Sequence, residues 1–436
     1  MAHHTDDREQ ARAQQQVVRV SDGAAEHARS YSSSAAATPP PTFASGRADR
    51  AVDLLCFSHL RWDLVFQRPQ HLLSRAARSR RVFYVEEPVF GAPSLSYEIQ
   101  PRHGGVARVV FHLPDGLDEA ASIEAQRELV DALVAEQQIQ HPLLWYYTPM
   151  ALSFARHVRG SATVYDCMDE LSAFAGAPPA LRAREVELLA RVDLVFTGGQ
   201  SLYESKRTLH PRVHAFPSSV DAAHFRRARA PQPDPPDQAP VARPRLGFFG
   251  VIDERMDLGL VRDVAAMRPG WQFVLLGPVV KIPPSSLPVA PNLHYLGPKS
   301  YDELPAYLSG WDVALLPFAM NEATRFISPT KTPEYLAAGC AVVSTPIRDV
   351  VRPYGQQGLA RIADTPEAFV AAVEASLGED AGTRVARADA FLSGMSWDLT
   401  WSRMMQLVDA FVGVTRAAAE PGGALTGPAA VAPPRA

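Results

Sequence analysis

Cysteine is scarce in this sequence. Cys56, Cys167 and Cys340 are its three thiols, too few and too scattered for a disulfide framework or a zinc site. Each lies in or beside an apolar run, where a small thiol packs as a hydrophobe, and a reducing compartment fits. Long apolar runs are missing as well: no stretch of eighteen is available for a helix that spans a membrane. The opening MAHHTDDREQARAQQQ carries acidic residues and no apolar segment, so it does not read as a secretory signal. Charge of one sign is also lacking. The formal net charge is −4, and no aromatic–basic repeat suggests a nucleic-acid groove. No Asp-x-Asp occurs, so nothing points to a metal that holds a diphosphate. The expectation is a cytoplasmic protein with no metal, no bound cofactor and no nucleic-acid partner.

Proline, by contrast, is plentiful and unevenly placed, and it divides the chain. Residues 1–49 are polar and rich in Ala, Ser and Pro, and residues 417–436 read the same way. Neither stretch has the apolar surface to order itself. A third such stretch, 228–243, reads as a semi-rigid connector. The chain then resolves into a first domain at 50–227, a second at 244–394 and a closing helix at 395–416.

Each half alternates short β-branched or aromatic runs with helix-length patterns, the signature of parallel sheets covered by helices. Strands are expected at 52–58, 81–87, 106–113, 143–148, 162–167, 192–198 and 212–217, then at 245–250, 271–277, 292–297, 311–317, 340–345 and 358–363. The fold class is α/β: two Rossmann-like domains facing across a cleft, with ligands beyond the carboxyl ends of the strands. One helix stands outside this rhythm. From an N-cap at Ser396, residues Trp397, Trp401, Met404, Met405, Val408, Phe411 and Val412 form one apolar stripe, suited to pack back on the first domain and hinge the two together.

The stretch FAMNEATRFISPTKTPEYLAAGCAVVST (318–345) is the most informative. Ser328 before Pro329, and Thr332 before Pro333, both look like N-caps followed by proline. The helix ends at Gly339. A helix start just past a strand directs backbone N–H groups into the cleft and suits a diphosphate. Ser328, Thr330 and Lys331 would line it, with Gly250 opposite at the end of the first strand. Glu334 suits ribose hydroxyls; equally, it could only complement the helix dipole. In the first half, His59, Arg61, Asp63, Arg68 and His71 make a polar cluster after the first strand. Asp166, Asp169 and Glu170 end another strand, and Glu86 and Glu87 a third. A carboxylate or imidazole there could activate a hydroxyl; Asp169, Asp166, His59 and Arg61 are the candidates. Arg75, Arg78, Arg80 and Arg81 read as a solvated basic helix face, or as an attraction to an anionic bilayer.

The order NLHYLGP, YDELPAYL, WDVALLP and SPTKTPEYLAAGCAVVST, with PSSVDAAHF (217–225) before it, resembles the GT-B glycosyltransferases of family 4. The opening SHLRWDLVFQRPQHLL (58–73) is similar to a subgroup resembling the teichuronic-acid glycosyltransferases of bacterial cell-surface polysaccharide pathways. The resemblance implies a GT-B fold whose last helix returns to the first domain, and Glu334 as a ribose ligand. It implies transfer of a hexose, with retention, from a nucleotide sugar to a glycan or lipid-linked acceptor; the basic face would add peripheral contact with the inner membrane surface. The family's paired glutamates are eight positions apart, and here the first position is Phe326. The Arg and Lys expected after the first strand of the second domain are represented by Arg255 alone, so Lys331, Arg325 and Arg255 are left to hold the diphosphate. A nucleotide-sugar epimerase, or a non-catalytic GT-B module, are the alternatives.

Overall fold

The computed structural model describes residues 51–419, with side chains through residue 415. The 1–49 tail and residues 420–436 lie outside the described residues, while residues 417–419 continue the last helix.

Two sheets form. The first runs β3 (Val89–Phe90), β5 (Ala107–Leu113), β2 (Val82–Val85), β1 (Leu54–Phe57), β6 (Leu143–Tyr146), β7 (Ala162–Cys167), β8 (Leu194–Thr197) and β9 (Val213–Ala215), with β4 (Ser96–Pro101) antiparallel to β5. The second runs β12 (Leu293–Gly297), β11 (Gln272–Leu276), β10 (Arg245–Phe249), β13 (Val313–Leu316), β14 (Ala341–Ser344) and β15 (Arg361–Ile362), parallel throughout. Central strands such as LLCF, LLWY and VALL are buried at every position. Such continuous apolar runs belong to strands covered on both faces. Strand order reverses between β10 and β13, so the loops after these two strands splay apart and open a crevice at the carboxyl edge. The same reversal occurs between β1 and β6.

All thirteen expected strands are present, and the β3–β4 pair is additional. It sits at the sheet edge, and β4 is only partly covered, so its apolar signal is weak.

The supposed connector at 228–243 is not a free link. Gln238 is fully buried, donates to the Tyr307 carbonyl at 3.1 Å and accepts from Trp311 Nε1 at 2.9 Å. Asp234 pairs with Arg245 at 2.9 Å. Val220 and Phe225 already belong to the second core, so the chain changes domain just after β9. A proline-rich stretch satisfies few of its own backbone groups, but here Gln238 and Asp234 dock it on the second domain.

The closing helix runs from Trp397 to Ala419. Ser396 Oγ accepts from the Leu399 N–H at 3.1 Å, the N-cap its sequence suggested. Trp397, Met404, Met405 and Val408 complete a first-domain core that includes Trp145 and Leu72. Trp397 is fully buried and stacks on His71 with centroids 4.6 Å apart. Trp401 is only half-buried, tilted on Trp145. Trp397→Ala is therefore expected to cost about 3 kcal/mol in urea melts, and Trp401→Ala clearly less; equal losses would show that the stripe is anchored elsewhere. Three of the four arginines on the basic face carry ion pairs, and Arg78 is exposed as well. Arg75 and Arg78 hold Asp398 at 2.8 and 2.5 Å, and Arg81 holds Asp53 at 2.5 Å. Arg80 lies in the field of Asp409 and Asp53. Among the described residues, no helix is long and apolar enough to cross a membrane.

Candidate active site

Gly250 directly follows β10 and takes φ +136°, a backbone region that glycine enters without strain. A Cβ there would collide with Lys331 Cε, because the lysine side chain crosses directly over it. Glycine at 250 is thus what lets Lys331 lie along the floor of the crevice. Lys331 opens the Lys331–Ala338 helix, where the N-cap position is Thr330. The expected caps differ: Thr330 makes no side-chain cap, and Thr332 and Pro333 fall inside the first turn. Proline is tolerated there because the first N–H groups have no intrahelical acceptor. Ser328 acts differently again. Its carbonyl accepts from Ser218 Oγ at 3.2 Å, and its side chain faces Gly199 of the first domain. The C-terminal glycine is as expected, with Gly339 at φ 86°.

Glu334 lies one turn into this helix, 4 % exposed, and its Oε2 has no hydrogen-bond partner among the described residues. Burial pushes its carboxyl up to about 8, with Lys331 opposing. Burial and then the nearby Arg255 lower Lys331 to about 8. A buried carboxylate oxygen without a partner is costly unless a ligand completes it. Thr332 Oγ1 and Tyr301 Oη are likewise buried without partners, and Tyr301 feels the Glu334 charge.

The loop after β10 supplies Arg255, which is braced by buried Asp253 at 2.7 Å. The loop after β11 supplies Lys281, which sequence reasoning missed. It takes φ 61°, unusual for a side-chain-bearing residue. Its signal is the position of LLGPVVK, which puts a lysine just past the carboxyl end of β11.

Across the crevice stand first-domain groups. Asp169, just beyond β7, has its carboxyl pushed up to about 6 by burial, against the pull of Arg255 and Lys331. His59, just beyond β1, is lowered to about 4 by burial and by Lys281, so it is neutral at pH 7; its Nδ1 is buried without a partner. Lys281 also acts on Glu87. The fold therefore gathers His59 and Asp169 from one domain with Arg255, Lys281, Lys331 and Glu334 from the other.

Other expected members are not gathered. Asp166 is fully buried and ion-paired with buried Arg68 at 2.8 Å, so it faces inward rather than into the cleft. Arg61 holds Glu86 at 3.4 Å and the Glu87 and Pro88 carbonyls, which fixes the loop beyond β2. Arg325 is exposed, pairs with Glu322 at 3.5 Å, and covers the Phe326 ring. The polar run after β1 is consequently not one cluster: Arg68 and His71 are core groups, and Asp63 pairs with Arg102 at 2.8 Å. Phe326, at the position of the absent glutamate, packs instead against the first-domain core. Among the described residues no group of His, Cys, Asp and Glu forms a metal site.

These features have counterparts. Residues 243–379 match the family model of the glycosyl transferases group 1. Over 260 residues the chain is 26% identical to TuaH of Bacillus subtilis (strain 168), described as a teichuronic acid biosynthesis glycosyltransferase, covering 54% of this chain and 64% of that one. The match thus spans under two thirds of that relative. The structure is similar to a sucrose-phosphate synthase from Thermosynechococcus elongatus, with TM-score 0.64 and 13% identity over 84% of this chain and 100% of that one. It is also similar to HepE of Anabaena, solved with UDP and glucose, with TM-score 0.59 and 14% identity over 83% and 100% of the two chains. The fold is GT-B. Residues 243–379 thus resemble the group 1 glycosyl transferases, and the relative in sequence is described as a glycosyltransferase.

Proposed function

We propose that this chain is a glycosyltransferase that moves a hexosyl group from a nucleotide sugar to a hydroxyl of a glycan or lipid-linked acceptor in cell-surface polysaccharide synthesis. The observation that carries it is Glu334 with its free Oε2, set beside Lys331 at a helix start in the switch-point crevice. Burial favours the protonated acid there, but Lys331 and the donated hydrogen bonds of ribose's vicinal hydroxyls favour the carboxylate, so the donor binds the ionised form. Lys331, Arg255 and Lys281 offer positive charge to the diphosphate, assisted by the helix N-terminus. The acceptor oxygen bonds to the anomeric carbon and the bond from that carbon to the phosphate oxygen breaks. The electron pair leaves on the nucleoside diphosphate, and the acceptor proton passes to Asp169. Neutral His59, with an unpartnered nitrogen, orients a hydroxyl at the cleft. Retention, which the resemblance implies, requires the acceptor oxygen to enter on the face from which the diphosphate leaves, and that is part of the proposal.

The test is release of nucleoside diphosphate from a panel of nucleotide sugars, with and without glycan and lipid-linked acceptors. Acceptor-dependent release supports transfer; epimerisation of the donor without an acceptor, or binding without turnover, overturns it. Glu334→Gln is expected to weaken the donor and its nucleoside alike, about ten- to a hundredfold, as a charged hydrogen bond is lost. Lys331→Ala should hurt the diphosphate far more than the nucleoside. Calorimetric titration checks both; unchanged affinities would remove the donor from this helix.

A further inference from the structure

Two of the crevice cations meet on one ring. Phe174 belongs to the first domain, in the loop beyond β7, and is half-buried. The Arg255 guanidinium carbon lies 5.4 Å from its centroid and Lys281 Nζ lies 5.0 Å from it. Both cations belong to the second domain, so the ring is a contact across the crevice. The distances fall within the range in which a ring's quadrupole attracts a cation.

The three cations of the crevice differ in what else holds them. Arg255 has Asp253 as a counter-ion. Lys331 lies over Gly250 and faces Glu334. Lys281 is exposed on a loop residue of positive φ, and no hydrogen bond or ion pair holds its ammonium among the described residues. A long, mobile lysine side chain without a partner loses rotamer freedom whenever it must point one way. Phe174 supplies the contact that points it inward, toward His59 and Asp169.

We propose that Phe174 is a positioning residue. It gathers Arg255 and Lys281 on one aromatic surface of the opposite domain, so that a nucleoside diphosphate meets both cations already in place. This rests on the nucleotide-donor reading above and adds to it a coupling: the ring can hold the two cations only while the domains are together. Diphosphate binding and domain closure then favour each other, because each stabilises the arrangement the other needs. In this role the ring acts through the two cations it contacts.

The test uses the full chain and titrates UDP, GDP and ADP, with their nucleosides, by calorimetry. Phe174→Leu removes the quadrupole but leaves an apolar side chain. Affinity for the diphosphate that binds wild type should fall about tenfold, with the nucleoside unchanged, and Phe174→Tyr should restore the wild-type value. In turnover, donor KM should rise with kcat little changed. Combining Phe174→Leu with Lys281→Gln should lose less than the sum of the two single losses, since both remove the same contact. Equal or tighter diphosphate binding by Phe174→Leu would overturn the proposal. So would a matching loss for the nucleoside, which marks a merely structural ring, or strict additivity with Lys281→Gln. Wild type that binds none of the three diphosphates would instead sink the donor reading itself, and this inference with it.

Discussion

Asp166→Ala is expected to lose about 3–5 kcal/mol of folding stability, enough to leave little soluble protein at 37 °C. The carboxylate accepts from Arg68 Nε at 2.9 and 3.1 Å and is ion-paired with Nη2 at 2.8 Å, while Arg68 Nη1 donates to the Phe216 carbonyl at 2.8 Å. Both side chains are shut away from water. Removing the acid strands a guanidinium that cannot shed its proton. The second variant separates pair from charge: Arg68→Met with Asp166→Leu should recover much of the loss, because two apolar groups need no counter-ion. Denaturant titration of the single and double variants measures both. A mild loss for Asp166→Ala would mean that water reaches Arg68.

Asp169→Asn, three residues further on, is expected to keep the fold and lose about 10²–10⁴ in turnover, the usual worth of a positioned general base. Its pH profile carries the sharper test. Burial holds the Asp169 carboxyl at about 6, and a base must be ionised, so wild-type activity should rise through pH 6. Burial and the nearby Arg255 lower Lys331 below the ordinary lysine range, so diphosphate affinity and activity should fall on the alkaline side as it loses its proton. The sign for stability runs the other way. The native carboxyl binds its proton more tightly than an unfolded one near 3.8, so the stabilisation it gives when protonated is lost as pH rises from about 4 to about 6. Asp169→Asn should abolish the acid limb and leave the alkaline limb. An acid limb that survives the substitution assigns it to another group.

The contrast between these two acids marks the limit of what the sequence shows. Both end one strand-like run, YDCMDE, and period alone cannot say which side chain turns inward. Asp166 still lies within β7 and is paired with an arginine from a distant helix; Asp169 is past the strand end and free to face the crevice. Strands were legible because parallel sheets demand continuous apolar runs, and VALL or LLWY have no other use. The β3–β4 edge was not, since β3 is two exposed residues long and β4 is partly exposed and mixed in polarity. Glu334 and Lys331 could be read because a helix start after a strand is local. Lys281 and Phe174 could not be read as a pair: one follows β11 and the other β7, and only the facing of two domains joins them. The proline-rich stretch misled for a related reason. Composition describes a segment alone, and Gln238 gains its buried partners only from the folded second domain.

The return of the last helix has a consequence for synthesis. The first sheet ends at Ala215, yet Trp145 and Leu72 share a core with Met404 and Val408. A ribosome must add 193 further residues after Ala215 before Val408 exists. At about 5–20 residues per second that is roughly 10–40 s. Throughout that interval the nascent first domain carries an open apolar groove where the closing helix will lie. The amino-terminal half is made first but finished last, and a ribosome that stalls anywhere in the second domain leaves it unsealed and exposed to chaperones and proteases.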